Sequence, residues 1–155
     1  MSWFYMINFK LHLLYKLIKK TNGCWILQSE ELNIKDIEIY NGRVEDYIKD
    51  HRESFDIVTA RAVANLPVLS ELCIPLTKVD GYFIAMKGSN EEEITESEFA
   101  IKALGGNIEK VENFELPNNG GLRNIIKVKK VTNTDIKYPR RYDKITKNPL
   151  KKWQI

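Results

Sequence analysis

Two short apolar runs of strand length most constrain the fold of this chain. Residues 55–60 and residues 82–86 are rich in β-branched and aromatic side chains, a composition typical of strands buried on both faces. Helical patterns at 44–50, 66–76 and 90–104 precede or follow these runs. Strands that alternate with helices predict an α/β fold with a mostly parallel sheet.

Both ends of the chain depart from that alternation. Residues 108–116 and 124–131 have strand patterns and are separated by Pro-Asn-Asn-Gly-Gly, which predicts a C-terminal antiparallel hairpin. Near the start, the pattern predicts a short strand at 9–13, a helix at 16–32 and a strand at 37–40. The hairpin would form an antiparallel edge of the sheet.

The size and the hydropathy of the chain set its class. Its 155 residues predict one domain, 1–155, and no apolar stretch reaches the roughly 18 residues of a membrane span. The two cysteines, Cys24 and Cys73, lie among apolar neighbours and form no metal-binding motif. We therefore expect a cytoplasmic protein, a monomer, without a metal site and without a membrane partner.

The charge is unevenly distributed. Residues 127–155 contain ten basic and two acidic residues, whereas residues 21–126 contain ten basic and nineteen acidic residues. A basic C-terminal segment, 132–155, in which Tyr138, Arg140, Arg141 and Tyr142 interleave aromatic rings with cations, predicts contact with a nucleic-acid backbone. A solvated basic tail without a partner is the alternative.

Polar residues follow three of the predicted strands. They are Gly42-Arg43-Val44-Glu45 after the first, Arg61 after the second and Lys87-Gly88 after the third. In open α/β sheets a ligand binds at the carboxyl ends of the strands, so these residues predict a site for a nucleotide-like ligand. For Arg61 the alternative is a structural ion pair with a neighbour such as Asp56.

Several motifs together resemble one family. They are Phe55-Asp56-Ile57-Val58-Thr59-Ala60-Arg61-Ala62-Val63-Ala64-Asn65-Leu66, Gly42-Arg43-Val44-Glu45, Met86-Lys87-Gly88, Leu122-Arg123-Asn124 and Tyr138-Pro139-Arg140-Arg141. The chain resembles the bacterial 16S ribosomal RNA methyltransferase G family. The resemblance implies a Rossmann-like class I methyltransferase sheet, and methyl transfer from S-adenosylmethionine to N7 of a guanine in 16S rRNA of the small ribosomal subunit.

The same resemblance implies roles for individual residues. Val44 and Glu45 would line the adenosine part of the cofactor, and Arg61 would serve the cofactor and the target base as the catalytic position. Four basic residues would meet the rRNA: Lys87, Arg123, Arg140 and Arg141.

The chain also departs from the family pattern. The first strand and its Gly-rich loop are lacking, and Tyr15 replaces the acidic residue expected to hold the ribose. These departures predict a partial methyltransferase domain of reduced stability. Two hypotheses stay open: a working rRNA methyltransferase, and a non-catalytic RNA-binding remnant that uses Arg123 and the basic C-terminal segment.

Overall fold

A computed structural model describes residues 4–9, 12–16, 37–61, 64–88, 90–118 and 120–150. Seven strands, four α-helices and one short 3-10 helix occupy these ranges. In chain order they are β1 (Phe4–Phe9), β2 (His12–Lys16), β3 (Ile37–Gly42), α1 (Val44–His51), β4 (Phe55–Arg61), α2 (Leu66–Cys73), the 3-10 helix (Ile74–Leu76), β5 (Thr77–Gly88), α3 (Glu91–Ala103), β6 (Gly106–Glu115), β7 (Leu122–Lys130) and α4 (Tyr142–Lys147).

All seven strands form one sheet in the order β3-β1-β2-β4-β5-β7-β6. The pairs β2–β4 and β4–β5 are parallel, and the other four neighbouring pairs are antiparallel. The sheet is therefore mixed, with a parallel centre, and the prediction of a mostly parallel sheet needs that correction. The α/β class and the C-terminal antiparallel hairpin, β6–β7, are confirmed.

One face of the central strands carries the core. Val58 and Ala60 of β4, Phe83 and Ala85 of β5, and Ile126 of β7 are at most 1% exposed. Their neighbours along each strand point to the opposite face, because successive strand residues alternate between faces. These neighbours are half-buried, except Arg61 and Met86, which are exposed. The helices cover the first face, which we call the helix-covered face, and we call the opposite one the open face.

The helix α2 lies at the centre of the helical layer. All eight of its residues are buried, including Ser70 and Glu71. Its sequence, Leu-Pro-Val-Leu-Ser-Glu-Leu-Cys, is apolar almost all round, the pattern of a helix buried on every side. Pro67 occupies the first turn, where the missing N–H costs no helical hydrogen bond.

Local signals placed most helix ends correctly to within a residue or two. The helix α3 begins at Glu91, and the side chain of Asn90 accepts a hydrogen bond from the Glu93 backbone N–H. Glu91, Glu92 and Glu93 in the first turn face the positive end of the helix dipole.

The N-terminal region differs from the prediction. Two strands, β1 and β2, stand where one strand at 9–13 was expected, and Lys16 ends β2 instead of beginning a helix. The remainder of the predicted helix, residues 17–32, and Cys24 lie outside the described residues. The ambiguity arose because the apolar residues of this region fit both the strand and the helical period.

Candidate functional site

The strand directions bring the predicted residues to one edge of the sheet. The strands β2, β4 and β5 run parallel, and β7 runs antiparallel to β5, so the start of β7 meets the end of β5. Arg61 is the last residue of β4, and Arg123 pairs with Gly88 at the end of β5. The edge at the carboxyl ends of the parallel strands therefore carries cations from several strands, as the ligand rule predicts.

Three of the predicted residues line one cavity of about 580 Å³ at this edge. We call it the strand-edge cavity. Its lining residues are Arg61, Met86, Lys87, Gly88, Phe114, Leu116, Arg123, Asn124 and Ile125. The structure thus brings Arg61, Lys87 and Arg123 together, although Arg61 and Arg123 are 62 residues apart in the sequence.

Arg61 and Arg123 share the open face. Arg61 is paired in register with Met86, and Met86 and Gly88 lie two residues apart, so the side chains of this row point the same way as that of Arg123. Arg61 is exposed, and Asp56, its alternative partner, instead forms an ion pair with Lys78 at 3.1 Å. The Arg123 guanidinium donates to the carbonyl of its neighbour Leu122 at 2.8 Å. Among the described residues neither guanidinium pairs with a carboxylate.

Lys87 points to the helix-covered face, because it lies one position from Met86 and Gly88. Its ammonium donates to the carbonyl of Ala64 at 2.7 Å and lies 2.8 Å from a carboxylate oxygen of Glu93. Both side chains of this ion pair are about one-sixth exposed, at 15% and 16%. Lys87 therefore fastens the end of β5 to the loop before α2 and to α3, while it borders the strand-edge cavity.

Three of the other predicted residues, Glu45, Arg140 and Arg141, line a second, separate cavity of about 690 Å³ between α1 and the chain segment after β7. We call it the segment cleft. Among its lining residues are Arg43, Glu45, Arg140 and Arg141. Six of the seven predicted site residues therefore line one of two cavities that share no lining residue, and Val44 lines neither.

Val44 and Glu45, the predicted adenosine pair, begin α1. Val44 is fully buried in the core and does not line the segment cleft. One Glu45 carboxylate oxygen accepts a hydrogen bond from the Tyr142 backbone N–H at 3.0 Å, and thus caps the start of α4. The second oxygen is buried and has no hydrogen-bond partner among the described residues. An orphaned carboxylate oxygen at a cavity fits a ligand that offers amine or hydroxyl donors, as adenosine does.

Arg140 is held from inside the protein. Its guanidinium makes two hydrogen bonds to the carboxylate of Glu71, at 2.8 and 2.7 Å, and its backbone N–H donates to the same carboxylate at 2.9 Å. Glu71 is fully buried, and the Arg140 side chain is 17% exposed. The hydrogen bond that the guanidinium donates to the Glu71 carboxylate raises the pKa of Arg140. The adjacent Arg141 is different: its side chain is 86% exposed and lies 3.4 Å from Asp143.

The basic segment 131–150 is docked on the body and is not a loose tail. Arg52 donates to the backbone carbonyls of Thr134, Asp135 and Tyr138 at 2.6, 2.9 and 2.7 Å. Lys130, only 1% exposed, donates to the Ile74 carbonyl at 2.9 Å and to the Thr134 hydroxyl at 2.6 Å. Residues 131–150 are therefore held against the body. Whether the segment also contacts a partner stays a prediction, and 151–155 lie outside the described residues.

Nothing in the sequence pattern singled out Arg52, Lys130 or Glu71. One signal was available for Glu71, because it is the only acid in an otherwise apolar helix. A buried carboxylate requires a cation or several donors, so such a position predicts a partner elsewhere in the chain. The sequence does not specify which of the ten basic residues in 127–155 pairs with Glu71, because that depends on the tertiary structure.

The described ranges contain neither a candidate metal site nor a candidate membrane-spanning helix. In residues 4–9, 12–16, 37–61, 64–88, 90–118 and 120–150, no group of three histidine, cysteine, aspartate or glutamate side chains could hold a metal ion. No helix in those ranges is long and apolar enough to cross a membrane. Cys73 is fully buried, and burial raises the pKa of its thiol, which agrees with the predicted packing role.

The fold and the site define an α/β protein with cationic and carboxylate groups at the carboxyl ends of parallel strands. Comparison with protein families then identifies it further. The family model described as rRNA small subunit methyltransferase G matches residues 4–125. The chain belongs to this family.

Curated relatives agree with that assignment. Ribosomal RNA small subunit methyltransferase G of Clostridium botulinum is 46% identical over 147 residues, which are 93% of this chain and 61% of the relative. The protein of the same name from Staphylococcus epidermidis is 51% identical over 122 residues, 77% of this chain and 51% of the relative. The chain thus spans about half to three-fifths of the length of these relatives.

Among solved structures, the antibiotic-resistance methyltransferase Kmr matches with a TM-score of 0.45 and 11% sequence identity. The match covers 56% of this chain and 57% of that chain. The fold described above is defined by the strand register of this chain and not by this match.

Proposed function

We propose that this chain acts in S-adenosylmethionine-dependent methyl transfer to N7 of a guanine in 16S rRNA. The observation that carries the proposal is the strand-edge cavity, in which Arg61 and Arg123 lie without a carboxylate partner among the described residues, in a chain of the rRNA methyltransferase G family. Guanidinium groups in such a position suit phosphate oxygens and the edges of bases. This supports RNA as the substrate.

The proposed chemistry requires little from the side chains beyond positioning. Bound S-adenosylmethionine would supply the methyl group. N7 of guanine carries a lone pair and no proton, so the site needs no general base, and holding the two reactants in line supplies the main rate enhancement. Arg61, at the end of β4, is the residue that we propose orients the base.

For the cofactor, we propose a site that begins at the carboxyl end of β3. Glu45 would accept a hydrogen bond from the adenosine part through the carboxylate oxygen that has no partner among the described residues. Val44, which is buried, would contribute its backbone. The other oxygen of Glu45 already caps α4, which holds the carboxylate in one orientation.

For the rRNA, we propose Arg123 and Arg141 as the residues with free capacity for phosphate. Lys87 and Arg140 are engaged with Glu93 and Glu71 respectively. A contact of Lys87 or Arg140 with RNA would have to be added to these ion pairs or would break them. We therefore propose that their larger effect is to hold the site in shape.

The decisive experiment is calorimetric titration of S-adenosylmethionine into the folded full chain, followed by transfer of a radiolabelled methyl group to small ribosomal subunits. Binding in the micromolar range together with labelled N7-methylguanine supports the proposal. If the folded chain does not bind the cofactor and does not transfer the label, the proposal is rejected. RNA binding without cofactor binding would instead support the non-catalytic remnant. Glu45→Gln is the matched variant, because it keeps the shape but weakens the acceptor.

A further inference from the structure

An exposed aromatic ring borders the strand-edge cavity. Phe114, near the end of β6, is 41% exposed, and Met86 of β5 is 37% exposed. Both side chains line the cavity beside Arg61 and Arg123. A single exposed apolar residue is ordinary. Two exposed apolar side chains in the wall of a cavity that also contains two arginines form a surface on which a planar group can stack beside positive charge.

The strand register places these groups on one face. Phe114 is paired with Arg123, Arg123 with Gly88, and Met86 with Arg61. Directly paired residues share a face of the sheet, and so do residues two apart on one strand. The open face therefore presents two neighbouring cross-strand rows, one of Arg61 and Met86 and the other of Gly88, Arg123 and Phe114.

Gly88 leaves open space beside Arg123. A Cβ atom built on Gly88 would meet nothing within 4 Å. Arg123 of β7 pairs with Gly88 on one side and with Phe114 on the other, so this space lies next to the guanidinium-bearing residue and two residues along β5 from Met86. The cavity of about 580 Å³ therefore has no side chain at this position.

One acid on the same face, Glu112, is paired with a neighbouring lysine. Glu112 lies two residues before Phe114 on β6, and its carboxylate is 2.5 Å from the ammonium of Lys110. The hydrogen bond from Lys110 lowers the pKa of Glu112. None of the described residues that line the cavity is acidic, so its side chains present positive charge to an incoming polyanion.

We propose that Phe114 is a substrate-positioning residue that stacks on an unpaired base of single-stranded RNA, while Arg61 and Arg123 contact that nucleotide. The proposal rests on the proposed function, in which the substrate is RNA. Unpaired bases in RNA loops are recognised by stacking on aromatic rings and on guanidinium planes, and any base offers a face for stacking. Phe114 would therefore hold the nucleotide, and selectivity for guanine would come from other contacts.

The test uses the full chain and single-stranded RNA oligonucleotides that carry one 2-aminopurine, whose fluorescence is quenched by stacking. With the wild type we expect quenching. Phe114→Ala should weaken binding by about 5- to 140-fold, the range measured for loss of one base stack, and should abolish the quenching. Phe114→Tyr should retain both. Val111→Ala is the matched control, because Val111 is an exposed apolar residue on the same strand, is 37% exposed and does not line the cavity.

Salt dependence separates stacking from charge. Phe114→Ala should leave the slope of log K against log salt unchanged, whereas Arg123→Ala should reduce it by about 0.7 for a single strand. Equal binding by wild type and Phe114→Ala, or full quenching with Phe114→Leu, would overturn the stacking role. If the wild type binds no RNA, the stacking role and the proposed substrate both fail. Quenching without any methyl transfer would count only against the proposed function.

Discussion

Two groups of arginines in this protein have the same chemistry and opposite surroundings. At the strand edge, Arg61 and Arg123 line a cavity and meet no carboxylate among the described residues. On the helical side, Arg52 and Arg140 are saturated by backbone carbonyls and by the buried Glu71. The number of cations in a sequence segment therefore says little about nucleic-acid binding until the internal acceptors are known.

The physical difference lies in which face of the sheet or layer each residue reaches. Helices covering one face bring buried acceptors such as Glu71 and Glu93 to the cations there. Burying a charge is costly unless it is paired, so a cation on that side is taken up by the protein itself. On the open face Arg61 is exposed and makes no ion pair with a carboxylate among the described residues, so its charge stays available to a ligand.

The largest effect is expected from removing the internal partner of Arg140. Glu71→Gln leaves the Arg140 guanidinium, 17% exposed, without a counter-charge, and we expect a loss of about 3–5 kcal/mol in the free energy of unfolding. Urea denaturation measures this loss. Asp143→Asn is the control, because its partner Arg141 is exposed and the midpoint should not move. An unchanged midpoint for Glu71→Gln would place Arg140 with the available arginines.

The next largest effect is expected at Arg61, which lines the strand-edge cavity. Arg61→Ala should reduce kcat/KM for methyl transfer by about 100-fold, because misplacement of the reacting groups has effects of that size. The unfolding midpoint should stay unchanged, since Arg61 is exposed. Lys127→Ala is the control on the open face outside the cavity. Equal loss of activity in both variants would deny Arg61 a special role.

Lys87 borders the cavity and is also paired internally, so it tests the boundary between the two groups. Lys87→Met leaves the mostly buried Glu93 carboxylate and the Ala64 carbonyl without this donor. We expect the free energy of unfolding to fall by about 1–3 kcal/mol, with a smaller effect on RNA affinity. A loss of RNA affinity at unchanged stability would mean that Lys87, like Arg61 and Arg123, is available to a ligand.

The pH dependence of stability should report Lys130. Burial lowers the pKa of Lys130 below its ordinary 10.5, against the opposing effect of Glu53. Between the lowered pKa and 10.5 the unfolded chain binds more protons than the folded one, so this lysine makes stability rise with pH across that window. Urea unfolding of wild type and Lys130→Met over the window should show the rise only in the wild type. Parallel curves would contradict it.

The smallest effect is expected at Arg141. Arg141→Ala should leave the unfolding midpoint unchanged, because its side chain is 86% exposed. RNA affinity should fall several-fold at low salt, and the salt slope should decrease by about 0.7 if this guanidinium contacts a phosphate. Filter binding at several salt concentrations measures both. An unchanged slope would remove Arg141 from the RNA contacts.

Much of the fold could be predicted from local patterns. The strands at 55–60 and 82–86 and the hairpin are present because β-branched runs and a Gly-rich turn are local properties. The parallel pairs β2–β4 and β4–β5 lie at the centre of the sheet. The pairing of β1 and β2 was missed, because hydrogen bonds between strands depend on neighbours that no local pattern specifies.

The residue types at the strand ends were determined by the sequence alone: Arg61, Lys87 and Glu45 all follow strands that the periodicity identifies. Only the tertiary structure decided which of the cations remain available. It paired Lys87 with Glu93 and Arg140 with Glu71, and it joined Arg61, Arg123 and Phe114 around one cavity. The physical reason is that a charge finds its partner through space, on the face to which strand alternation and helix packing bring it.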